Sequence, residues 1–178
     1  MPNHCINCVC VTGDNAVEIM KKYFRHDLEN DNKMIFDFEL IIPTPENADW
    51  YSFHNEKWGT KWNSYELEIE DYANFKFQTA WNSPNKIFLR LSEIEPTLTF
   101  TVDFADEDIG SNCGSYIINE GENIKAVIFP SVSKLSEKFA KDLWGYDEES
   151  DDDTDESDDD TDDTEDDENN ENLVNLCL

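Results

Sequence analysis

The feature that most constrains folding is an acidic run near the end of the chain. Residues 147–171 contain 18 of the 42 Asp and Glu residues and no Lys or Arg. A segment of this kind repels itself and has no apolar side chains to bury, so we expect it to be disordered. The sequence therefore divides into a folding domain of residues 1–146 and a polyacidic tail of residues 147–178.

The folding domain is itself acidic, although its composition is that of a globular protein. It holds the remaining 24 Asp and Glu against all 13 Lys and Arg, which gives a net charge near −11. All six Gly and most apolar residues also precede the tail, so a hydrophobic core is expected. The negative charge disfavours direct binding of nucleic acid, because such binding uses Lys and Arg to neutralise phosphates.

The sequence also bears on the cellular compartment. It has no run of about 18 apolar residues and no basic segment followed by an apolar run at its start, so neither membrane spanning nor secretion is indicated. Five cysteines is an odd number, and Cys5, Cys8 and Cys10 are crowded together. We expect a reducing, cytoplasmic setting.

Alternating and helical apolar patterns predict an α+β domain. Strands are predicted at residues 7–12, 36–42, 65–70, 75–81, 98–104, 115–118 and 124–129, and helices at residues 14–28, 84–95 and 131–144. A long aromatic loop is predicted between the second and third strands. The order indicates a ferredoxin-like antiparallel or mixed sheet with its helices on one face and an extra hairpin.

Several phrases of the sequence resemble one family. They are Met1-Pro2-Asn3-His4-Cys5-Ile6-Asn7, Ile41-Ile42-Pro43-Thr44-Pro45, Trp58-Gly59-Thr60-Lys61-Trp62-Asn63 and Thr79-Ala80-Trp81-Asn82-Ser83-Pro84. Over about residues 1–129 the chain resembles the YubB-like ferredoxin-like proteins of phages and conjugative plasmids. The resemblance implies a ferredoxin-like fold and a mobile-element origin, and no catalytic mechanism. The acidic tail is foreign to that family.

Candidate metal and catalytic chemistry is weak. Cys5, Cys8 and Cys10 give a C-x2-C-x-C spacing, but structural zinc takes four ligands on turns, so packed free thiols are the better interpretation. Carboxylates recur on two segments, as they do in metal-dependent nucleases, yet basic neighbours and a Gly-rich phosphate loop are lacking. The sequence therefore predicts no catalytic residue, no metal, no cofactor and no enzyme.

Tryptophans cluster in the middle of the sequence. Trp50, Trp58, Trp62 and Trp81 fall within 32 positions. Three interpretations stay open: the aromatic side chains anchor a long loop to the core, they form a protein-binding patch, or they stack on the bases of a nucleic acid, which the negative charge disfavours.

We hypothesise a phage-type binding protein that inhibits a basic nucleic-acid-handling host protein, such as a CRISPR or restriction complex, by presenting a DNA-mimicking acidic surface. Oligomeric state is not indicated by the sequence. The alternative is a domain that recognises or hydrolyses RNA or a nucleotide through its sheet, with the tail serving solubility. The predicted partner-binding residues are Trp58, Lys61, Trp62, Glu66, Glu68, Glu70, Asp106, Glu107, Asp108, Asp151, Asp152, Asp153, Asp158, Asp159 and Asp160.

Overall fold

A computed structural model describes residues 3–28 and 32–146. Its main sheet contains β1 (His4–Thr12), β4 (Tyr65–Asp71), β5 (Asn74–Ala80), β6 (Thr99–Asp106), β7 (Cys113–Asn119) and β8 (Glu122–Ile128). A separate hairpin is formed by β2 (Phe24–Asp27) and β3 (Lys33–Phe36). The helices are α1 (Ala16–Met20), α2 (Trp50–Lys57), α3 (Asn85–Ile94) and α4 (Lys134–Trp144). The predicted disorder of the tail lies outside the described residues.

The strand order confirms the ferredoxin-like α+β prediction. The main sheet is antiparallel throughout, in the order β4-β5-β1-β6-β7-β8. Its first four strands, with α1 after β1 and α3 between β5 and β6, form the ferredoxin-like unit. The hairpin of β7 and β8 extends the sheet beyond that unit, which leaves β8 at one edge and β4 at the other.

The large core lies between the sheet and α3. The helix is amphipathic and buries Ile87, Phe88 and Leu91. Because side chains alternate along a strand, β5 and β6 direct every second residue towards this helix, including Phe77 and Phe100, both fully buried. The Phe88 ring connects the helix to both strands, since its centroid lies 6.4 Å from that of Phe77 and 5.9 Å from that of Phe100.

The last helix differs from the predicted arrangement, since it packs on the opposite face of the sheet. Ala105 and Cys113 point away from the large core and form a small cluster with α4, in which Phe139 lies 4.7 Å from Phe129 between ring centroids. The start of α4 is fixed by a capping box of Ser133 and Ser136. The expectation that all helices share one face is therefore wrong for α4, because strand alternation supplies apolar residues to both faces at this end of the sheet.

Three predicted elements also differ. A strand is predicted at residues 36–42, but the observed strand β3 already ends at Phe36. A 3-10 helix follows it at Phe38–Leu40. Its cap, Asp37, is fully buried and accepts hydrogen bonds from Glu39 N–H and Asn63 while pairing with Arg25 at 2.5 Å. The predicted long helix ends at Met20, since β2 then pairs with β3, and the predicted aromatic loop opens with α2.

Candidate functional site

Two tryptophan-containing segments distant in sequence meet at one end of the sheet. Residues 58–62 follow α2, and residues 79–84 connect β5 to α3. The Thr60 hydroxyl joins them with two hydrogen bonds. It donates one to the Ala80 carbonyl at 2.8 Å and accepts one from the Ala80 N–H at 3.1 Å. Two of the four phrases that carry the family resemblance are thus neighbours in space.

This junction builds a partly exposed cation–π cluster, which we call the tryptophan patch and define as Lys61, Trp62 and Trp81. The Lys61 ammonium lies 4.5 Å from the centroid of the Trp62 ring and 5.5 Å from that of Trp81. Trp62 keeps 36% of its surface exposed, so the patch presents an aromatic plane to solvent.

The backbone at the patch is held in an uncommon conformation. Trp81 has φ of 71°, in the left-handed region that a bulky side chain rarely adopts. Hydrogen bonds on both sides hold it there, from Trp81 N–H to the Asn3 carbonyl and from the Asn112 amide to the Trp81 carbonyl, each at 2.9 Å. Such strain clusters at functional sites, where the surrounding structure overdetermines it.

A half-buried phenol lies beside the patch. The Tyr65 hydroxyl donates to the Thr79 carbonyl at 3.0 Å and lies 2.7 Å from His4 Nδ1, which therefore serves as the donor to it. Burial raises the pKa of Tyr65 to about 12, and the Glu107 and Glu66 carboxylates contribute to the rise. Tyr65 is therefore a neutral hydrogen-bonding group beside Trp62, and the Glu66 and Glu107 carboxylates lie near it.

Trp58 occupies a different environment from its neighbours in the same motif. Only 1% of it is exposed, its Nε1 donates to the Ile42 carbonyl at 2.9 Å, and its ring stacks on His54 with centroids 3.6 Å apart. The anchoring interpretation therefore holds for Trp58. Its predicted place in a partner interface does not fit this burial, because the ring offers no surface to a partner.

The predicted row of three glutamates on β4 is broken by a β-bulge. Tyr65 pairs with Gln78 and Glu68 pairs with Lys76, so one more residue lies on β4 than on β5 between those pairs. Glu66 sits in the bulge with φ of 45° and faces Lys33 across 3.7 Å. Glu68 lies opposite Lys76, and Glu70 lines the same shallow cleft. All three are exposed, but they do not form one face.

In the acidic turn after β6, one carboxylate is buried and two are exposed. Asp106 is buried and accepts hydrogen bonds from the Asn3 amide at 3.1 Å and from Asp108 N–H at 2.9 Å, so it organises the turn. Its predicted role in partner binding does not fit this burial. Glu107 and Asp108 are exposed, as the prediction requires. The six predicted tail residues Asp151–Asp153 and Asp158–Asp160 lie outside the described part of the chain.

A polar row crosses the opposite face of the sheet, and no sequence pattern predicts it. One register position aligns Glu68, Lys76, Cys8, Asp103 and Ser115. Asp103 is only 5% exposed, and its Oδ1 has no hydrogen-bond partner. Burial raises the pKa of Asp103, against a lowering hydrogen bond from Ser115. Burial likewise raises the pKa of Cys8 to about 12, so this thiol is not a nucleophile near neutral pH.

The row does not amount to a metal or catalytic centre. Cys5, Cys8, Cys10 and Cys113 are free thiols. Within residues 3–28 and 32–146, no three His, Cys, Asp or Glu side chains are arranged to hold a metal ion. Across the same residues, no helix has the length and apolar run needed to cross a bilayer.

Comparison with known proteins agrees with the fold. A family model described as "Ferredoxin-like domain in Api92-like protein" matches residues 57–175. The crystal structure of the protein api92 from Yersinia pseudotuberculosis is similar with a TM-score of 0.42 and 12% identity, over 55% of this chain. The chain spans 40% of that protein's length. No curated protein matches the sequence. Since the family model covers well over half of the chain, the protein belongs to the family of ferredoxin-like domains found in Api92-like proteins.

Proposed function

We propose that this protein is a mobile-element binding protein that inhibits a basic nucleic-acid-handling protein of the host cytoplasm. The tryptophan patch supplies the specific contact, and the acidic surface supplies the attraction. The observation that carries the proposal is a partly exposed, backbone-strained tryptophan patch within a strongly acidic domain.

Electrostatics favours a basic partner. The chain has a net charge of −29, and exposed carboxylates such as Glu68, Glu70 and Glu107 take part in none of the ion pairs of the described residues. If residues 147–171 were extended, they would span about 85 Å and carry about one charge per 5 Å, against one per 3.4 Å along a DNA strand. A Lys- and Arg-lined channel that accepts DNA would attract such a segment.

Charge alone does not specify one partner, because a polyanion binds many basic proteins weakly. Specific interfaces rely on a few aromatic and cationic anchors, for which Trp is the most enriched type. The tryptophan patch meets this requirement, since hydrogen bonds hold the backbone of Trp81 and Lys61 is already placed against both rings.

The mobile-element part of the proposal is supported by the resemblance of the Trp58–Asn63 and Thr79–Pro84 phrases to YubB-like proteins of phages and plasmids. An inhibitor of a host CRISPR or restriction complex is a function that such an element would carry. The comparison with Api92-like proteins provides the fold only.

The alternative function, recognition of RNA or a nucleotide by the sheet, has less support. Domains that read RNA with a sheet place aromatic side chains on its open face, where bases stack. Here the centre of that face carries Cys8, Asp103 and Lys76, while the exposed Trp62 and the half-buried Trp81 lie at the end of the sheet.

A pull-down from host lysate at about 0.1 M and 0.5 M salt tests the proposal. The baits are the full chain, a chain ending at residue 146, Trp62→Ala, and the control Trp50→Ala, which changes a tryptophan on α2 that is 50% exposed, against 36% for Trp62. We expect the full chain and the control to recover a basic nucleic-acid-binding protein at low salt, with loss at high salt as screening shortens to a few Å. Added DNA should compete.

Trp62→Ala should weaken recovery about tenfold or more, as loss of an interface tryptophan does. The proposal is overturned if no basic partner is recovered. It is also overturned if recovery does not change with salt, with added DNA, in the chain ending at residue 146 or in Trp62→Ala. Recovery of RNA in place of a protein would favour the sheet-recognition alternative.

A further inference from the structure

The edge strand β8 has an exposed apolar stripe, although a register irregularity against β7 lies at Ile124 and Lys125 is on the other face of the strand. Ile124 and Ile128 each keep 64% of their surface exposed, and Ala126 between them is exposed as well. Natural edge strands avoid such surfaces with charges or bulges, because a bare edge invites pairing with another strand. The opposite edge, β4, follows that rule with three glutamates and a bulge.

The backbone of β8 is also available for pairing. Phe129 N–H donates to the Cys113 carbonyl at 3.1 Å, and Ile128 lies opposite Gly114 in the register. Hydrogen-bonded and non-hydrogen-bonded pairs alternate in an antiparallel ladder, so the N–H and C=O groups of Ala126 and Ile128 point to the free edge. The residues with free backbone groups are thus the ones that carry the apolar stripe.

A groove beside the stripe would receive side chains of an added strand. It has a volume of about 340 Å³ and lies between β8 and the segment that leads into α3. Phe104 and Tyr116 form its floor. Amide side chains line its rim, where Asn85 Nδ2 donates to Asn123 Oδ1 at 3.1 Å. An apolar floor with an amide rim suits an extended apolar peptide.

We propose that the end of this chain, residues 173–178, docks on the free edge of β8 as an added strand. Its sequence is Leu-Val-Asn-Leu-Cys-Leu, and residues 147–172 before it contain no apolar side chain. In an extended strand, Val174, Leu176 and Leu178 share one face, which would continue the stripe of Ile124, Ala126 and Ile128. This inference does not depend on the proposed function.

The connecting segment is long enough. To reach β8 from the end of α4, the segment must run back along the 11 residues of the helix, which is about 16 Å. The length of the seven-residue strand adds about 23 Å. The 26 residues 147–172 have a root-mean-square span of about 30 Å as a flexible chain and a maximum near 90 Å. Docking within one chain therefore proceeds at an effective concentration of order millimolar.

Charge complementarity marks a path for that segment. Lys134, Lys138 and Lys141 recur on α4 at spacings that place them on one side of the helix, and all three are exposed. Together with the exposed Lys125 on β8, they take part in none of the ion pairs of the described residues. The acidic segment would run beside these lysines, whereas a second copy carrying a charge of −29 would be repelled.

Amide hydrogen exchange measured by NMR tests the proposal at the Ala126 and Ile128 N–H groups. The variants are the full chain, a chain ending at residue 172, Leu176→Asp, and the matched control Asn175→Asp, which places the same charge on the other face of the added strand. We expect exchange in the full chain and the control to be about tenfold slower than in the other two, as a millimolar local concentration gives for a weak strand contact. A peptide of residues 172–178 added to the truncated chain should restore the protection.

Equal exchange at Ala126 and Ile128 in the full and truncated chains would overturn the proposal. So would protection that rises with protein concentration, because that result assigns the edge to a second copy. Removing residues 173–178 should leave recovery of a basic partner by the acidic run intact, so this proposal and the proposed function fail independently.

Discussion

The two faces of the main sheet differ in what the same strands present to each. Towards α3, the strands contribute buried apolar residues such as Val9, Phe77 and Phe100. On the other face, they contribute a polar row that includes Lys76 and the buried carboxyl of Asp103, and α4 covers only one end. Apolar burial is therefore concentrated on the α3 side of the sheet. The other face carries polar groups that add little to that burial.

The largest expected effect is on the α3 side. Trp58→Ala removes a fully buried indole and its hydrogen bond to the Ile42 carbonyl, so we expect the free energy of unfolding to fall by about 3 to 5 kcal/mol. Denaturant unfolding measures this value, and Trp50→Ala, on an exposed part of α2, should cost well under half as much. Equal losses in both variants would contradict the placement of Trp58 in the core.

The polar face should show the opposite sign. Because burial raises the pKa of Asp103 in the folded chain, ionisation of this carboxyl opposes folding at pH above that pKa. Asp103→Asn should therefore stabilise the chain at pH 7, because the amide is neutral at every pH and no buried carboxylate has to ionise.

Melting curves against pH test the origin of this gain. It should shrink as the pH falls through the raised pKa and vanish below the ordinary carboxyl pKa of 3.8, where Asp103 is protonated in both states. A gain that does not change with pH would exclude ionisation as its cause.

A smaller effect is expected at the rim. Trp62→Ala removes a partly exposed ring and its contact with the Lys61 ammonium, which is worth about 0.5 to 1 kcal/mol at such a site. Denaturant unfolding should show a loss of about that size, together with weaker partner recovery. A loss of stability as large as that of Trp58→Ala would contradict the placement of Trp62 at the surface.

The smallest effect is expected from the acidic run. Shortening a chain that ends at residue 172 to one that ends at residue 146 removes like charge and no core, so the melting temperature at low salt should stay the same or rise slightly. Both chains lack residues 173–178, so docking on β8 does not enter the comparison. A clear fall in melting temperature would show that the acidic run packs against the domain.

Much of the fold follows from local patterns. The alternation from Phe75 to Trp81 and from Leu98 to Phe104 predicts β5 and β6, and the Ser83-Pro84 start with a stripe of Ile87, Phe88 and Leu91 predicts α3. The same reasoning fails at residues 36–42, where apolar residues alternate as in a strand. There Asp37 turns the chain into a 3-10 helix, because its carboxylate is paired with Arg25 and Asn63 from distant segments.

The sequence by itself predicted the division into a domain and an acidic tail and the ferredoxin-like element order, and it contains the tryptophan motifs, since composition and side-chain periodicity are local properties. Only the tertiary structure decided that Trp58 is core while Trp62 is exposed, although three residues separate them. It also decided that Trp81 joins Lys61 and that Asp103 is buried across from Cys8. The physical reason is that burial and partnership depend on which distant segment packs against a residue, and no local pattern carries that information.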